Sequence, residues 1–428
     1  MDLFILPPHA LKGTIKLPAS KSYSIRSLII AACGGQSQIR DCSDCDDAKS
    51  ALNVIRALGA DVKVLSKNSF LIKAFKKPFA LSRVNVKESG TVLRFLLPLV
   101  SLYAKKALIT GCGTLKGRPN IFLMKTLRER GVVIQGEGRQ ESVPIFLKGG
   151  ELHGGKITID GTLSSQFISA LLIACPQLTE DTTLFLQGKK LVSSDYVAMT
   201  CQILKKAGIS IKQKNIRMFF IKGRQRFKGL KNFCVPSDYG LAAFLLGAAC
   251  LVQSDVNLTG HLPEDLIQAD GHILSFLKKM GARFVKTSKG IKIKGPFQLK
   301  GGKFSLKNCP DLVPIMAVLA LFAKGKTRLY DIAHARAKES DRITDLRQEL
   351  LKIGAKIIET KSAITIIPQK FYKQGCCLDS HSDHRLAMAF AVLGTKIALK
   401  VKKMESTHKS YPKFVKDFKS LGVKMLTS

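Results

Sequence analysis

One phrase recurs six times along the chain: a helical stretch that ends in glycine, followed at once by a short alternating strand, as in IRALGADVKV. The six glycines are Gly59, Gly131, Gly208, Gly281, Gly354 and Gly422. Each suits the left-handed backbone position that ends a helix before a tight turn. Their spacing of about 70 residues is too long for a solenoid repeat but long enough for a βαβαββ unit. The sequence therefore predicts six such units that fill the chain.

Apolar helices rich in small residues accompany these units, for example SQFISALLIACP and LAAFLLGAACLV. Helices that are apolar on nearly every side are buried helices. At 428 residues the chain is also too long for one ordinary core. We therefore predict an α/β fold of two similar lobes with a cleft between them. Each lobe has three βαβαββ repeats with buried central helices and outer sheets, an inside-out α/β barrel.

The chain is strongly basic, with 69 Lys and Arg against 31 Asp and Glu and a net charge of +38. Such a charge attracts anions and speeds their capture. It is equally typical of nucleic-acid binding. However, the lysines are spread along the chain, tryptophan is absent and there are only 7 tyrosines. Composition alone predicts an anionic partner and does not identify it.

Other sequence features concern the compartment. The longest apolar runs are shorter than the ~20 residues that cross a bilayer, and the N-terminus has no export signal. We therefore expect a cytoplasmic protein with no membrane partner. Several of the 11 cysteines lie inside apolar runs, which is typical of packed, reduced thiols. Cys42 and Cys45 form one Cys-x-x-Cys pair without a second pair at zinc-site spacing, so we predict no structural metal.

Polar residues precede many of the apolar helices. Lys21 lies at the mouth of the helix in SKSYSIR, where free N–H groups attract anions. Ser20 and Ser22 each suit a capping position, and Arg26 lies four residues after Ser22, on the same helix face. Ser164 and Ser165 stand in the same position before another apolar helix. Because capping and phosphate binding use the same geometry, both interpretations remain open.

Glycine and arginine suggest a second type of anion contact. In KESGTVLR, Gly90 lets a ligand approach the backbone closely, and the following helix start supplies N–H donors. In GCGTLKGRP, Arg118 offers a fork-shaped donor for phosphate.

The stretch RAKESDRI places five charged residues in eight positions after an apolar run. It is either a solvated helix face or the start of an active-site helix. Helical spacing of i, i+4 predicts that Lys338 and Arg342 point the same way. Asp311 and Asp383 stand before two further apolar helices, where each could equally serve as a cap.

Nine stretches in this order resemble the enolpyruvyl transferases, and within that family the branch that acts on shikimate 3-phosphate. They are SKSYSIR, SGTVLR, GTLKGRP, SSQF, LVSSDY, CPDLVP, RAKESDR, SDHRLAMAF and HKSYP, and they run from residue 20 to residue 412. The resemblance implies two lobes, the first comprising residues 1–19 and 236–428 and the second residues 20–235. It also implies transfer of enolpyruvyl from phosphoenolpyruvate to the 5-hydroxyl of shikimate 3-phosphate, with release of phosphate, in aromatic amino acid biosynthesis.

The resemblance also implies roles for individual residues. The acid/base residues are Asp311, Glu339 and Lys21. Shikimate 3-phosphate is bound by Lys21, Ser22, Arg26, Ser164, Ser165, Gln166, Ser193, Tyr196, Asp311 and Lys338. Phosphoenolpyruvate is bound by Lys21, Gly90, Thr91, Arg118, Gln166, Arg342, His384, Arg385 and Lys409. In this assignment the first lobe carries the acid/base residues and the second grips the shikimate phosphate.

The chemistry explains these residue types. Phosphoenolpyruvate is a poor electrophile until C3 is protonated, so a proton donor must face C3 while a base takes the hydroxyl proton. We expect Asp311 to be that base and Glu339 with Lys21 to move protons at C3 and the leaving phosphate. No metal or cofactor is expected, because Arg and Lys neutralise the phosphates. The expected partners are two small anions. The protein is expected to be a monomer.

Two residues depart from the family's pattern. Glu88 stands where Asn is usual and would repel a phosphate, so we place it outside the site. His334 also replaces an Asn.

Three further functions remain open. Cys112 lies six residues before Arg118, near the reactive-cysteine arrangement of the sister enzyme that acts on UDP-N-acetylglucosamine. The strong positive charge also suits an RNA-binding protein on a related repeat fold, and the motifs alone do not distinguish an active enzyme from an inactive relative.

Overall fold

The structure is a computed structural model that describes residues 1–75, 83–189 and 191–427. Its residues form two compact units. The inserted unit comprises Ala19–Val235, and the terminal unit comprises Met1–Pro18 and Pro236–Ser428.

The helices and strands alternate along the chain in both units. The α-helices of the described residues are α1 Lys21–Ala32, α2 Asp46–Ala57, α3 Gly90–Tyr103, α4 Ile121–Arg128, α5 Ser165–Ala174, α6 Ser194–Lys206, α7 Tyr239–Leu251, α8 His272–Lys279, α9 Val313–Leu321, α10 Thr344–Leu351, α11 His384–Leu393 and α12 Phe414–Ser420. The strands are β1 Leu3–Leu6, β2 Leu11–Lys16, β3 Gln36–Arg40, β4 Asp61–Ser66, β5 Ser69–Lys73, β6 Arg83–Asn85, β7 Ala107–Thr110, β8 Val132–Glu137, β9 Ser142–Gly150, β10 Gly155–Asp160, β11 Thr182–Gln187, β12 Ile211–Asn215, β13 Met218–Ile221, β14 Lys231–Cys234, β15 Ser254–Thr259, β16 Phe284–Thr287, β17 Gly290–Ile293, β18 Lys303–Ser305, β19 Thr327–Tyr330, β20 Lys356–Thr360, β21 Ala363–Ile367, β22 Cys376–Asp379, β23 Leu399–Lys402 and β24 Lys424–Thr427.

The predicted βαβαββ repeat is confirmed. In the repeat β10–α5–β11–α6–β12–β13, β10 and β11 pair in parallel, and β13 joins β11 and β12 antiparallel. The described residues form six sheets of four strands, and in each the strands follow this same order. A parallel pair requires a crossover connection, which α5 provides between β10 and β11.

Three repeats are completed by strands that are distant in sequence. In the inserted unit, β14 pairs in parallel with β3. In the terminal unit, β2 pairs in parallel with β15, although the whole inserted unit separates them in sequence. The first strand, β1, fills the sheet of β22, β23 and β24. The chain ends are therefore part of the sheets of the terminal unit.

The six glycines of the repeated phrase have positive φ angles, between +82° for Gly354 and +106° for Gly422. Each lies in the turn that joins the second helix of its repeat to the third strand of that sheet. This confirms the predicted helix ends.

The first helix of each repeat is the buried one. In the terminal unit, all residues of α7, α9 and α11 are buried, and these helices pack against one another. In the inserted unit, α3 packs against α1 and α5. Five of these helices also contact their own sheets, namely α1, α3, α7, α9 and α11. The predicted arrangement of central helices and outer sheets is therefore confirmed. Within the described part of the chain, no helix is both long enough and apolar enough to span a membrane.

Candidate active site

Arg342 is the centre of a charged cluster in the terminal unit. Its Nη1 donates to Oδ1 of Asp311 at 2.7 Å, and its Nη2 donates to Oε2 of Glu339 at 2.7 Å. Its Nε donates to Oδ2 of Asp383, also at 2.7 Å. The Arg342 side chain is only 1% exposed. One buried guanidinium thus fixes three carboxylates, and their charges raise its pKa well above the ordinary value although burial lowers it.

Asp311 is shared by three cations. Besides Arg342, Nη2 of Arg385 donates to its Oδ2 at 3.1 Å, and Nζ of Lys338 lies 3.6 Å from its Oδ1. Burial by itself raises the pKa of Asp311, but the charges of Lys338, Arg385 and Arg342 outweigh burial and hold this pKa well below its usual range. Asp311 is therefore ionised at neutral pH and in the state that accepts a proton.

A glycine that the sequence analysis did not single out makes room for Arg385. Nη1 of Arg385 donates to the carbonyl oxygen of Gly240 at 2.6 Å. A Cβ on Gly240 would lie 2.9 Å from that nitrogen and 2.3 Å from Oδ2 of Asp270. Since real Cβ contacts are longer, any side chain here would displace the guanidinium.

Two interpretations of local structure need correction. Lys338 and Arg342 point the same way, as predicted, since both reach Oδ1 of Asp311. They do not lie on one helix face, because the 3₁₀ turn Ala333–Ala337 ends before Lys338 and α10 begins at Thr344. They meet at Asp311 because an irregular segment folds back on it. Asp311 itself lies in the 3₁₀ turn Pro310–Leu312, and Leu312, not Asp311, precedes α9 as its N-cap.

The prediction for Asp383 is correct in one respect and incomplete in another. Asp383 caps α11, because its Oδ1 accepts from the backbone N–H of Arg385 at 2.8 Å. The same carboxylate also binds Arg342. A capping role and a site role therefore belong to one side chain, which sequence patterns cannot separate.

The other predicted residues of the terminal unit lie near this cluster or on elements that contact it. His384 is the first residue of α11 and is 1% exposed. Lys409 is buried and ends the 3₁₀ turn Met404–Lys409, which packs against α11. His334 is buried, and burial together with the charge of Lys338 lowers its pKa to about 3. Nε2 of His334 has no hydrogen-bond partner among the described residues, so the imidazole is neutral in the fold.

The inserted unit contains a second cluster, organised by Gln166. Its Nε2 donates to Oγ1 of Thr91 at 2.9 Å, and its Oε1 accepts from Nη1 of Arg94 at 2.5 Å. Arg94 is buried and lies over the ring of Phe167. Arg94 therefore belongs to this cluster. The predicted binding residues do not include it, although it lies within the quoted stretch SGTVLR.

Because Gly90 has no side chain, Arg118 can approach the backbone closely at this position. A Cβ on Gly90 would lie 2.9 Å from Nη1 of Arg118 and 3.0 Å from its Cζ, so Arg118 rests against the backbone at the start of α3. Glu88 turns to another partner, since its Oε1 accepts from the backbone N–H of Thr114 at 3.0 Å. A side chain at Gly113 would overlap the Glu88 carboxylate.

Arg26 is a buried cation bound to neutral groups. Its Nε donates to Oγ1 of Thr200 at 2.8 Å, and its two terminal nitrogens donate to the carbonyl oxygens of Ser22 and Tyr196. Burial lowers the pKa of Arg26 to about 10. No described carboxylate lies within ion-pair distance of it. An anion that reached this guanidinium would supply the missing charge.

The serines divide between capping and a strained turn. Ser20 caps α1 and Ser164 caps α5 through side-chain hydrogen bonds, so capping is confirmed there. Ser165 is the first, buried residue of α5. Ser193 has φ +56° and ψ +37° and is buried, and its carbonyl oxygen accepts from the N–H of Tyr196. Strain of this kind in a non-glycine residue is concentrated at functional sites.

Lys21 begins α1, as predicted, and its Nζ lies 3.2 Å from Oδ2 of the buried Asp47. Asp47 was not predicted, because no pattern links it to a lysine 26 residues earlier. Within the described ranges, no group of three or more His, Cys, Asp or Glu side chains is arranged to hold a metal ion.

Comparisons with known proteins show which family the chain belongs to. A family model described as EPSP synthase (3-phosphoshikimate 1-carboxyvinyltransferase) matches residues 5–418. The chain is 35% identical over 423 residues to a 3-phosphoshikimate 1-carboxyvinyltransferase of Methanosarcina acetivorans, covering 97% of each chain. A Clostridium perfringens protein of the same name is 34% identical over 429 residues, covering 99% of each.

Solved structures show the same fold. An EPSP synthase from Acinetobacter baumannii aligns with a TM-score of 0.79 and 25% identity, covering 100% of both chains. The enolpyruvyl transferase NikO from Streptomyces tendae aligns with a TM-score of 0.77 at 18% identity, covering 100% of this chain and 98% of its own. At that identity, NikO is informative about the fold alone.

Proposed function

The chain belongs to the EPSP synthase family, and from this premise we propose how its residues divide the work of the family's reaction. That reaction transfers the enolpyruvyl group of phosphoenolpyruvate to the 5-hydroxyl of shikimate 3-phosphate and releases phosphate. It is a step of the shikimate pathway to the aromatic amino acids. The enzyme is a 3-phosphoshikimate 1-carboxyvinyltransferase.

One observation carries the assignment of the acid/base residues. Arg342 holds Asp311 and Glu339 through two different nitrogens of one guanidinium, each at 2.7 Å. Two carboxylates on one rigid fork are kept at a constant separation. Such a pair suits a reaction that removes a proton from one atom and delivers a proton to another.

The proposed chemistry is addition followed by elimination. Asp311 takes the proton of the attacking 5-hydroxyl as the oxygen bonds to C2 of phosphoenolpyruvate, while Glu339 with Lys21 delivers a proton to C3. In the second stage Glu339 with Lys21 takes a proton back from C3, the double bond forms again, and the C2–O bond breaks so that phosphate leaves. The low pKa of Asp311 supports its role as the group that starts ionised.

Phosphoenolpyruvate is proposed to bind two sets of cationic and polar groups. In the terminal unit they are Arg342, His384, Arg385 and Lys409, and in the inserted unit they are Lys21, Gly90, Thr91, Arg118 and Gln166. Arg342 and Arg385 are already paired with carboxylates. A guanidinium has five N–H donors, so we propose that phosphoenolpyruvate binds those that the carboxylates leave.

Shikimate 3-phosphate is proposed to be gripped mainly by the inserted unit. The proposed contacts there are Lys21, Ser22, Arg26, Ser164, Ser165, Gln166, Ser193 and Tyr196, with Asp311 and Lys338 from the terminal unit. The uncompensated charge of buried Arg26 and the strained Ser193 support this division. Arg and Lys neutralise both substrates, so we propose no metal or cofactor.

The sister activity and RNA binding have less support. The matched family and relatives are named for 3-phosphoshikimate, and these names favour that substrate over UDP-N-acetylglucosamine. Cys112 is exposed, so its thiol can be tested by alkylation. The clustered carboxylates Asp311, Glu339 and Asp383 would repel an RNA backbone. We further propose a cytoplasmic monomer. Support for the compartment comes from the cysteines, all of which are free thiols.

A phosphate-release assay with shikimate 3-phosphate and phosphoenolpyruvate, each omitted in turn, tests the proposal. We expect phosphate only when both are present, with enolpyruvyl recovered on the shikimate product. Binding of both substrates without turnover would identify an inactive relative. Phosphate release with UDP-N-acetylglucosamine in place of shikimate 3-phosphate, blocked by alkylation of Cys112, would establish the sister activity.

A further inference from the structure

The segment that carries Lys338, Glu339 and Arg342 has no helix or strand of its own. It lies between the 3₁₀ turn that ends at Ala337 and the first residue of α10, Thr344. A backbone without regular structure takes its shape from side-chain contacts at its ends. The positions of the acid/base and cationic groups therefore depend on what holds these ends.

Arg336, just before the segment, holds both ends. Its Nη1 donates to both carboxylate oxygens of Asp341, at 3.1 and 2.9 Å, and to Oγ1 of Thr344 at 2.8 Å. Its Nη2 donates to Oε1 of Glu359 at 2.7 Å and to the carbonyl oxygen of Thr360 at 2.9 Å. Its Nε donates to the carbonyl oxygen of Lys361 at 3.2 Å. One guanidinium thus joins the start of the segment to its end.

The partners of Arg336 are themselves part of this frame. Oδ1 of Asp341 accepts from the backbone N–H groups of Ile343 and Thr344, each at 3.1 Å, and so starts α10. Oγ1 of Thr344 donates to Oε1 of Glu359 at 2.9 Å. Glu359 belongs to β20, so the frame is anchored in a sheet.

Stability alone does not account for this arrangement. The side chain of Arg336 is 25% exposed, and partly exposed ion pairs stabilise proteins little. The effect on the catalytic rate is larger, because a shift of about 1 Å in a catalytic group costs up to ~10²-fold in rate. The frame encloses the residues that the proposed function places at the chemistry.

We propose that Arg336 is a positioning residue that, through Asp341 and Glu359, sets the places of Lys338, Glu339 and Arg342 without touching substrate. The inference rests on the acid/base roles under the proposed function. Without Arg336, the segment relaxes, and Lys338 and Arg342 move away from Asp311.

The test uses Arg336→Gln in the full chain, with Arg347→Gln as the matched control. Nε of Arg347 lies 4.0 Å from Oε2 of the same Glu359, and its side chain is 37% exposed. This control removes one positive charge from the same cluster but not the link to Asp341. Glu359→Gln, which weakens the other end of the frame, is the second variant. For each protein, kcat, its pH dependence and the melting temperature are measured.

We expect Arg336→Gln to lower kcat by roughly 10- to 100-fold and Arg347→Gln to change it less than about threefold, with similar melting temperatures. We also expect the acid side of the kcat profile to move to higher pH in Arg336→Gln. The reason is that weaker contacts with Lys338 and Arg342 let burial raise the pKa of Asp311. Glu359→Gln should act in the same direction, and the double variant should be no worse than Arg336→Gln because both break one frame.

Wild-type kcat and an unshifted pH profile in folded Arg336→Gln would overturn the inference. So would equal losses of kcat in Arg336→Gln and Arg347→Gln, which would indicate an effect of charge alone. If Arg336→Gln does not fold, Arg336→Lys replaces it, and the same two results decide. No phosphate release by the wild-type protein would instead refute the proposed function, so the two failures are distinguishable.

Discussion

Arg342 and Asp383 form a buried ion pair in which Nε of the arginine donates to Oδ2 of the aspartate at 2.7 Å, and the two side chains are 1% and 0% exposed. The same aspartate caps α11, the helix that carries Arg385. A change at Asp383 therefore affects both guanidinium groups of the terminal unit's cluster.

Asp383→Ala is expected to lower the free energy of unfolding by roughly 3–5 kcal/mol, the usual cost of breaking a buried ion pair from one side. Asp383→Asn keeps an oxygen for the N-cap and should lose less. Urea denaturation of the three proteins measures both values. A loss below about 1 kcal/mol in Asp383→Ala would contradict the importance of this pair.

Glu339→Gln is expected to lower turnover by roughly 10²-fold or more, the usual weight of a general acid–base group. The protein should remain folded, because the amide oxygen still accepts from Nη2 of Arg342. Steady-state phosphate release and thermal melting are the measurements. Glu264→Gln, the same change at an exposed carboxylate paired with Lys286, is the control. Near-normal turnover of Glu339→Gln would refute the acid–base role.

His334→Asn is expected to make stability less sensitive to acid. The pKa of His334 is lowered to about 3 by burial, whereas an unfolded histidine titrates near 6.5. Below about pH 6.5 the unfolded chain binds a proton that the folded chain does not, so this histidine costs up to about 1.4 kcal/mol of stability per pH unit until its folded pKa is reached.

Urea denaturation at pH 7.5, 6, 5 and 4 measures this effect. The free energy of unfolding of the wild-type protein should decline more steeply than that of His334→Asn between pH 6 and 4. Parallel declines would show that His334 takes up its proton in the fold.

Gly90→Ala is expected to raise the KM for phosphoenolpyruvate and to leave the KM for shikimate 3-phosphate nearly unchanged. The new Cβ would lie 2.9 Å from Nη1 of Arg118, so this guanidinium must move. Initial rates with each substrate varied in turn separate the two constants. An unchanged KM for phosphoenolpyruvate would argue against Arg118 as part of its binding site.

Local patterns predicted much of the fold. The glycine of each repeated phrase, such as Gly281 with φ +98°, ends its helix as expected. The apolar runs became the buried helices, of which α7 is buried along its whole length. These features depend on neighbouring residues, through backbone sterics and hydrophobic periodicity, and neighbours are what a sequence displays.

Helical spacing misled where the chain is irregular. The i, i+4 spacing of Lys338 and Arg342 assumed a helix, but both reach Asp311 from a segment without regular structure. Asp47, the partner of Lys21, had no sequence signal because the pair joins two elements by packing.

By itself the sequence determined the six repeats, the helices that are buried, and the residue types available for handling anions. Only the tertiary structure decided that β1 and β2 complete sheets formed mainly by the second half of the chain, and that Arg342 meets one carboxylate 31 residues before it and another 41 residues after it. The reason is that helix ends and burial follow from short-range sterics and hydrophobicity, whereas strand partners and ion pairs require groups that are distant in the chain to reach the same place.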